Sequence, residues 1–321
     1  MLLRVENLSV RIGTITPLEG VDFDLDKGQI LGLVGESGSG KSLTALALTG
    51  LLPLIGGRIS TGRLIFDGAD LATMSRPQLR ALRGRRIAFV TQNPMTALDP
   101  VQRIGDQVDF VSRTHLGLDH KAARARTVEL LTQLRIPQAD TICNAYPHQL
   151  SGGMKQRIVI AMALAGDPEL IVADEPTTAL DVTVQAQIIH ILTTLVRERG
   201  LALVLITHDM GVVAQACDKV VVLYAGRIAE QRQVNALFAA PAHPYSAALI
   251  NCIPREGMAP GSLAGIPGTV PSVASYPAGC RYHPRCAHAG SGCADIVPEL
   301  QPLDAGGAVS CHYPLQGGDN A

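Results

Sequence analysis

The sequence predicts an α/β protein built on a mainly parallel β-sheet with helices on both faces. Short continuous apolar runs alternate with helical stretches, and glycines or carboxylates directly follow several of these runs. Strands that are apolar throughout are typical of parallel sheets buried on both faces. The 321 residues suggest about two domains. With 47% hydrophobic and 17% charged residues, the composition argues against a wholly disordered chain.

The predicted elements follow in order along the chain. A buried strand at 30–34 ends in glycines, and a helix is predicted over 42–52. The segment at about 100–150 lacks strand-like runs and contains an amphipathic pattern at 121–134, so it is predicted to be a helical insertion. From Pro241 onward Pro, Gly, Cys and His dominate and periodicity is lost. The predicted domains are therefore 1–240 and a loop-rich extension, 241–321. Further strands are predicted at 87–90, 170–173, 203–206 and 220–223.

Charge and hydropathy exclude two classes of protein. The net charge is −1 and there are few aromatic residues, so no basic field or stacking platform for nucleic acid is expected. The mean hydropathy of +0.21 is high, but every apolar run is shorter than the roughly 20 residues that span a bilayer. The first residues, MLLRVE, lack a basic leader and a cleavage site. We therefore expect the chain to stay in the cytoplasm.

Residues 35–42 (GESGSGKS) match the phosphate-binding pattern G-x-x-x-x-G-K-[ST], between a predicted strand and a predicted helix. Glycines let consecutive N–H groups point inward at phosphate oxygens, and the helix adds the positive end of its dipole. We expect Lys41 to reach the β- and γ-phosphates and the Ser42 hydroxyl to bind Mg²⁺. The predicted nucleotide-binding residues here are Gly35, Ser37, Gly38, Ser39, Gly40, Lys41, Ser42 and Thr44.

Two carboxylates, Asp174 and Glu175, follow the predicted strand 170–173. Ligands of open α/β sheets bind at the carboxyl ends of the strands, where these side chains are expected. We expect Asp174 to hold Mg²⁺ through water. Glu175 is the candidate catalytic residue, which orients and polarises the attacking water.

Residues 150–157 (LSGGMKQR) resemble the LSGGQ signature of the ATP-binding-cassette (ABC) ATPases, at the family's spacing before Asp174. Ser151, Gly152 and Gly153 precede a helical stretch, where free N–H groups form a second anion site. The resemblance covers about residues 1–240. It implies an ABC-type P-loop NTPase cassette with a helical subdomain at about 100–150.

The same resemblance implies roles for residues elsewhere in the chain. Gln92 resembles the Q-loop glutamine, which senses Mg²⁺ and water, and His208 resembles the switch histidine at the γ-phosphate. Asp181 belongs to a segment, 179–181, that resembles the D-loop. Ile12 stands where the family usually stacks an aromatic ring on adenine, so we expect weaker stacking and retained ATP binding. Because one set of motifs is present, the resemblance implies a second ABC ATPase subunit with two ATP molecules between the pair.

Three segments resemble the ATPases of dipeptide and oligopeptide permeases: 92–100, 173–187 and His243-Pro244-Tyr245. The resemblance implies hydrolysis of ATP to energise an importer, peripherally on the cytoplasmic face of the cell membrane. It also implies partners: a related second ATPase, two transmembrane permease subunits and an extracytoplasmic solute-binding protein. The alternatives are an importer of nickel or another small solute, a soluble ABC ATPase acting on ribosomes or DNA, and an iron–sulfur regulatory protein.

Four of the seven cysteines lie in the extension: Cys280, Cys286, Cys293 and Cys311. The arrangement resembles the peptide-permease extension, in which four cysteines can bind an iron–sulfur cluster. Four thiolates suit a [4Fe–4S] cluster or a tetrahedral Zn²⁺. The absence of C-x₂-C pairs favours the cluster, with Zn²⁺, or thiols or disulfides without metal, as the alternatives.

Overall fold

The computed structural model describes residues 1–178, 180–254, 265–304 and 306–315. By its internal contacts the chain divides into two compact units. Unit 1 comprises Met1–Asp26, Ile30–Ala72 and Ile206–Ala321, and unit 2 comprises Lys27–Gln29 and Thr73–Leu205.

In chain order, the strands are β1 (Leu3–Ile12), β2 (Ile15–Leu25), β3 (Ile30–Val34), β4 (Gly57–Phe66), β5 (Ala69–Asp70), β6 (Ile87–Val90), β7 (Leu170–Asp174), β8 (Ala202–Ile206), β9 (Lys219–Tyr224), β10 (Arg227–Gln233), β11 (Gln301–Pro302) and β12 (Ala308–Val309). The α-helices are α1 (Lys41–Leu48), α2 (Arg76–Leu82), α3 (Pro94–Ala97), α4 (Ile104–Leu116), α5 (His120–Gln133), α6 (Ala139–Ile142), α7 (Gly152–Ala165), α8 (Val182–Glu198), α9 (Met210–Ala216), α10 (Val234–Ala239) and α11 (Pro244–Asn251).

Unit 1 contains an antiparallel sheet in the order β2-β1-β4-β5, which the sequence analysis does not anticipate. In β2, Val21, Phe23 and Leu25 are buried while the intervening Asp22 and Asp24 are partly exposed. This period of two is typical of a sheet with one buried face. The signal was present in the sequence, but a search for continuous apolar runs misses alternating strands.

The remaining strands of unit 1 lie in the order β11-β12-β10-β9-β3. β3 and β9 are parallel, with Leu31 opposite Lys219 and Val34 opposite Val222, whereas β10 runs antiparallel to β9. Every residue of β3 is buried, as its continuous apolar sequence predicts. The predicted strands at 30–34 and 220–223 are thus confirmed.

In unit 2 the strands lie in the order β8-β7-β6, and β6 and β7 are parallel from Ile87↔Leu170 to Val90↔Ala173. The predicted strands at 87–90, 170–173 and 203–206 correspond to these three. Helices α4, α5 and α6 follow β6 without an intervening strand, which confirms the predicted helical insertion. Helix α5 begins after Asp119, whose side chain accepts from the Ala122 N–H at 2.8 Å.

Two details of the predicted secondary structure are wrong. Helix α1 ends at Leu48 rather than Leu52, because Gly50 adopts a positive φ of 65° and Pro53 begins a separate turn. The extension is not loop-rich from its start, because α11 covers 244–251. His243 caps that helix through a side-chain bond from the Tyr245 N–H, and Pro244 occupies its first position.

Beyond α11 the described residues contain only short turns and the two-residue strands β11 and β12. Glu230 on β10, fully buried, accepts from the N–H groups of Ala242 and His243 at 2.9 and 2.8 Å. These bonds fix the chain where it leaves α10. Within the part of the chain that the structure describes, none of the helices has the length and apolar character needed to cross a membrane.

Candidate functional site

The loop of residues 35–42 joins β3 to α1 in unit 1, and its glycines adopt backbone conformations that other residues rarely adopt. Gly35 has a φ of +145°, and a Cβ there would lie 2.1 Å from the carbonyl oxygen of Leu223. Gly40 has a φ of +105° and a Cβ would lie 2.7 Å from Leu18 Cδ1. Buried Lys41 folds back over the loop, and its Nζ donates to the Gly35 and Glu36 carbonyls at 2.7 and 3.0 Å.

The other predicted loop residues divide by exposure. Ser37, Gly38 and Ser42 are exposed, whereas Ser39 is fully buried. The Ser39 carbonyl accepts from the Gly226 N–H at 2.9 Å, and its hydroxyl has no hydrogen-bond partner among the described residues. The Thr44 hydroxyl donates to the Gly40 carbonyl at 3.1 Å, so it braces the first turn of α1.

In unit 2 the carboxyl end of β7 carries the acidic pair. Asp174 is the last residue of the strand and is 8% exposed. Glu175 follows with a φ of 45°, which is uncommon for a side chain of its size. Its Oε2 accepts from Gln92 Nε2 at 2.9 Å and from the Thr178 hydroxyl at 2.8 Å. Gln92, placed just after β6, therefore meets the predicted catalytic carboxylate directly.

Thr178, which is not among the residues predicted from the sequence, contacts the predicted catalytic carboxylate of Glu175. Its N–H also donates to the Glu175 carbonyl, at 3.2 Å, so a tight turn holds the two side chains together. The signal that could have found it is a hydroxyl residue three positions after a strand-terminal carboxylate, the spacing of such a turn.

The signature segment forms the start of α7, also in unit 2. Ser151 is the N-cap, and its hydroxyl accepts from the Met154 N–H at 3.3 Å. Gly152 and Gly153 begin the helix, and a Cβ on Gly153 would lie 2.8 Å from Val184 Cγ1 on α8. Asp181 is the N-cap of α8 and accepts from the Val184 N–H at 2.9 Å. Ala179 of the predicted D-loop lies outside the described residues.

His208 and Ile12 both belong to unit 1. His208 is exposed between two anchored neighbours: Thr207, whose hydroxyl accepts from the Asp209 N–H at 3.0 Å, and Asp209, whose Oδ1 accepts from Gly211 N–H at 2.8 Å. Those bonds fix the backbone on each side of the imidazole. Ile12 ends β1 opposite Ile15 and Gly57 and is half-buried.

The chain is similar to proteins of known families. The profile of the ABC transporter family matches residues 18–178. A second profile, for the C-terminal region of oligopeptide/dipeptide transporters, matches residues 229–293. The chain belongs to the ABC transporter family. It is the ATP-binding and ATP-hydrolysing type of subunit.

Several relatives match this ABC ATPase almost from end to end. The dipeptide transport ATP-binding protein DppD of Escherichia coli is 44% identical over 318 residues, 98% of this chain and 97% of DppD. The oligopeptide transport ATP-binding protein OppD of Salmonella typhimurium is 43% identical over 320 residues, 98% of this chain and 95% of OppD.

Solved structures agree on the ABC cassette. The ATP-binding cassette MJ0796, seen as a dimer in a post-hydrolysis state with ADP and phosphate, aligns with a TM-score of 0.63 at 27% identity over 73% of this chain and 99% of its own. CbiO1 of Clostridium perfringens, part of a cbiONQ transporter complex, aligns with a TM-score of 0.64 at 29% identity over 74% of this chain and 90% of its own.

The phosphate loop of this ABC ATPase fits the triphosphate of ATP on two observations. Helix α1 has no side-chain cap and no acidic residue in its first turn, so its N–H groups are available to an anion. The buried hydroxyl of Ser39 lacks a partner among the described residues, and a phosphate oxygen is an acceptor that would satisfy it.

The four C-terminal cysteines of the ABC ATPase are free thiols that lie near one another. The Cys280 N–H donates to the Cys293 carbonyl at 2.8 Å. Burial raises the pKa of Cys311 to about 11, and electrostatic interaction with Cys280, Cys286 and Cys293 raises it as well. In the described ranges, however, no group of three or more His, Cys, Asp or Glu side chains is arranged to hold a metal ion. The expected [4Fe–4S] cluster, or Zn²⁺ in its place, is therefore not supported by this arrangement, because ligation requires the sulfurs to converge on one point.

Proposed function

We propose that this ABC ATPase energises an importer of dipeptides or oligopeptides from the cytoplasmic face of the cell membrane. The observation that carries the proposal is the match of residues 229–293 to the C-terminal region of oligopeptide/dipeptide transporters, because the cassette alone is common to importers of many solutes. Relatives named for dipeptide and oligopeptide transport match over nearly the whole chain. Import of nickel or another small solute is the alternative within the same architecture.

The proposed catalytic residues are Glu175, Gln92 and His208. Glu175 polarises the attacking water, Gln92 holds the carboxylate of Glu175, and His208 contacts the γ-phosphate. The contact of Gln92 and Thr178 with Glu175 Oε2 supports the first two roles, because a base must be held in one orientation to act in an in-line displacement.

The proposed nucleotide-binding residues are assigned in the same way. The loop 35–42, with Thr44 bracing it, holds the phosphates. Ile12 contacts the adenine. Ser42, Asp174 and Gln92 are the proposed Mg²⁺ residues, and the metal supplies electrostatic stabilisation of the transferred phosphoryl group.

We further propose that the working unit contains a second, related ABC ATPase. Ser151, Gly152, Gly153 and Asp181 would serve the nucleotide bound by the partner. The dimeric state of MJ0796 supports a paired arrangement, and the start of α7 offers free N–H groups beyond the one that Ser151 caps.

Two transmembrane permease subunits and an extracytoplasmic binding protein complete the proposed importer. Unit 2 presents large apolar side chains to solvent near the Q-loop: Met95 is 61%, Val101 79% and Phe110 65% exposed. Exposed apolar residues that occur singly are common, but several of them in one segment of the chain form a candidate interaction surface. They support docking of a membrane subunit here.

The test is reconstitution. The chain is co-expressed with candidate permease subunits and the second ATPase, purified as a complex and placed in proteoliposomes with the binding protein. ATP-dependent uptake of a labelled dipeptide is expected, with nickel not competing. Uptake of nickel without peptide uptake would select the alternative, and failure to associate with any membrane subunit would contradict the importer.

The four extension cysteines are proposed as ligands of a [4Fe–4S] cluster, with Zn²⁺ as the alternative. The arrangement of their side chains does not itself form a metal site, so the proposal depends on the spacing of the four cysteines and on the order that a segment with little core gains from such a cross-link. Anaerobic purification followed by analysis for iron, sulfide and zinc tests it. Equal amounts of iron and sulfide, at four per chain, are expected; one zinc per chain, or no metal, would contradict the cluster.

A further inference from the structure

Glu36, the second residue of the phosphate loop, is held at all three of its polar groups. Its N–H donates to the Tyr245 hydroxyl at 2.9 Å. Its carbonyl accepts from Lys41 Nζ at 3.0 Å. Its carboxylate oxygens accept from the two terminal nitrogens of Arg285 at 2.7 and 3.0 Å. Two of these three partners, Tyr245 and Arg285, come from the C-terminal region of unit 1.

Burial and hydrogen bonds hold the side chain of Arg285 in this position. Its side chain is 5% exposed, and Nε donates to the Pro267 carbonyl at 2.7 Å. Beyond the two bonds to Glu36, its terminal nitrogens donate to the Tyr224 hydroxyl at 3.2 Å and the Ile266 carbonyl at 3.3 Å. All five N–H groups of the guanidinium thus have acceptors, so both its place and its orientation are set.

The surroundings of this ion pair are rigid. The Tyr245 side chain is fully buried. Its ring centroid lies 4.6 Å from that of Tyr224, in an edge-on arrangement, and 5.2 Å from that of Tyr282. Packed aromatic rings lose little further freedom and hold their hydroxyls in place. The C-terminal region therefore presents Arg285 and the Tyr245 hydroxyl to the phosphate loop as a preformed surface.

The charge of Glu36 requires such a partner. A carboxylate within a loop that binds a polyphosphate repels its ligand, and the repulsion is strong where water is partly excluded. A bidentate guanidinium both cancels that charge and fixes the side chain that carries it.

We propose that Arg285 is a positioning residue for ATP binding, acting through Glu36 to neutralise and fix the phosphate loop. The role rests on the proposed binding of ATP phosphates by residues 35–42. It makes the C-terminal region a determinant of ATP affinity in its own right, whatever the four cysteines bind.

The test measures KM for MgATP and kcat in the assembled transporter. Arg285→Gln leaves the Glu36 carboxylate unneutralised, and KM is expected to rise about tenfold while kcat falls less than about threefold. Adding Glu36→Gln removes the uncompensated charge and is expected to bring KM back to within about threefold of the wild-type value. Arg285→Lys keeps the charge without the bidentate geometry and should lie between the two.

Arg281→Gln is the matched control. Arg281 also lies in the C-terminal region, is 8% exposed, pairs with Glu19 and donates to the Ala225 carbonyl. Its loss is expected to lower the melting temperature and leave KM for MgATP within about twofold, because it does not bond to Glu36. Equal KM increases in the Arg281 and Arg285 variants, or no rescue by Glu36→Gln, would overturn the proposal.

Two further variants cover the case in which Arg285→Gln does not fold and separate the role of Arg285 from that of the loop. If Arg285→Gln does not fold, Arg285→Lys decides: a raised KM supports the role and a wild-type KM overturns it. Lys41→Ala separates this role from the function of the loop itself. Wild-type ATP binding by that variant would refute phosphate binding by the loop, whereas lost binding with an unchanged KM in the Arg285 variants would refute only the role of Arg285.

Discussion

Glu175 combines a strained backbone with a fixed carboxylate. Its φ of 45° is costly for a non-glycine residue, and its Oε2 accepts from two side chains, Gln92 and Thr178. Strain of this kind persists only where surrounding bonds impose it, and it is common where a reacting group must be aimed. The hydrogen bonds from Gln92 and Thr178 thus fix the carboxylate of Glu175 in the orientation that its proposed role requires.

Glu175→Gln should separate binding of ATP from its hydrolysis. The amide keeps the shape of the side chain but cannot polarise water, so phosphate release by the assembled transporter should fall at least about 100-fold. The dissociation constant for MgATP should stay within about twofold. Thr178→Val, which removes only one bond to the carboxylate, should retain part of the activity. Hydrolysis at the wild-type rate by Glu175→Gln would rule out its role.

Lys41→Ala should weaken ATP binding by about 100-fold, the effect of losing a buried cation at a phosphate. Nζ already lies over the loop, bonded to the Gly35 and Glu36 carbonyls, so the ligand gains a preorganised charge. Nucleotide titration of the purified full chain measures the effect. Lys219→Ala, which breaks an ion pair with Asp24 elsewhere in unit 1, is the control and should bind ATP normally. Equal losses in both variants would contradict a specific role.

The residues of the proposed site lie at the starts of helices and at the carboxyl ends of strands. Helices α7, α8 and α9 each begin with a side-chain cap, from Ser151, Asp181 and Asp209, whereas α1 begins without one. A cap satisfies one N–H group and leaves others open, and an uncapped start leaves all of them to a ligand. Strands in turn place Asp174 and Gln92 at adjacent carboxyl ends, because β6 and β7 are parallel.

Those parallel strands are joined at their other end by an ion-pair group. Glu169 bonds to Arg86 at 2.5 Å and to Lys27 at 2.9 Å. The hydrogen bond from Arg86, followed by that from Lys27, lowers the pKa of Glu169 from 4.5 to about 2. The ionised form is therefore favoured in the folded state. Its stabilisation is fully present above pH 4.5 and is lost as the pH falls from about 4.5 to about 2.

Glu169→Gln should lower the free energy of unfolding by about 1 kcal/mol at pH 7, a modest figure because the group is partly exposed. Melting temperatures of wild type and variant should differ at pH 7 and converge toward pH 3. Glu129→Gln removes a carboxylate from an exposed site on α5 and should leave the melting temperature unchanged at both pH 7 and pH 3. A difference that persists undiminished at pH 3 would contradict the ionic origin.

The molecule carries one phosphate loop and one signature segment, and each lies in a different compact unit. A single copy of each is what a split, paired site requires. MJ0796, a cassette of the same fold, forms a dimer. In the proposed importer, assembly with a second ATPase would couple ATP binding to closure of the pair, and this motion would be transmitted to the membrane subunits.

Ser151→Asp should abolish that pairing without unfolding α7. Aspartate caps a helix as well as serine does, but its charge repels a γ-phosphate held by the partner subunit. In the Glu175→Gln background, size-exclusion chromatography with MgATP should show the ATPase pair, and the added Ser151→Asp should leave separate subunits. Ser151→Asn is the uncharged control. Pairing that survives the aspartate would place the signature segment outside the interface.

Some features of this protein can be predicted from its sequence and others cannot. Continuous apolar strands and the phosphate loop could be found directly, because burial on both faces and phosphate binding each impose a local pattern on consecutive residues. The strands β1, β2 and β4 lack a continuous apolar run, and α11 begins with its cap His243 and with Pro244, residue types that are common in loops. Thr178 lies three residues after Glu175, so the spacing of a tight turn indicates its contact, whereas no spacing indicates Arg285, which lies 249 residues from Glu36.

By itself, the sequence determined the parallel core, the nucleotide motifs and the family, since all three depend on short local patterns. Only the tertiary structure decided that Gln92 and Thr178 share the carboxylate of Glu175 and that Arg285 holds Glu36. Gln92 lies 83 residues from Glu175, and Arg285 lies 249 residues from Glu36. Contacts over such separations depend on how the strands and turns pack, and no local pattern along the chain records them.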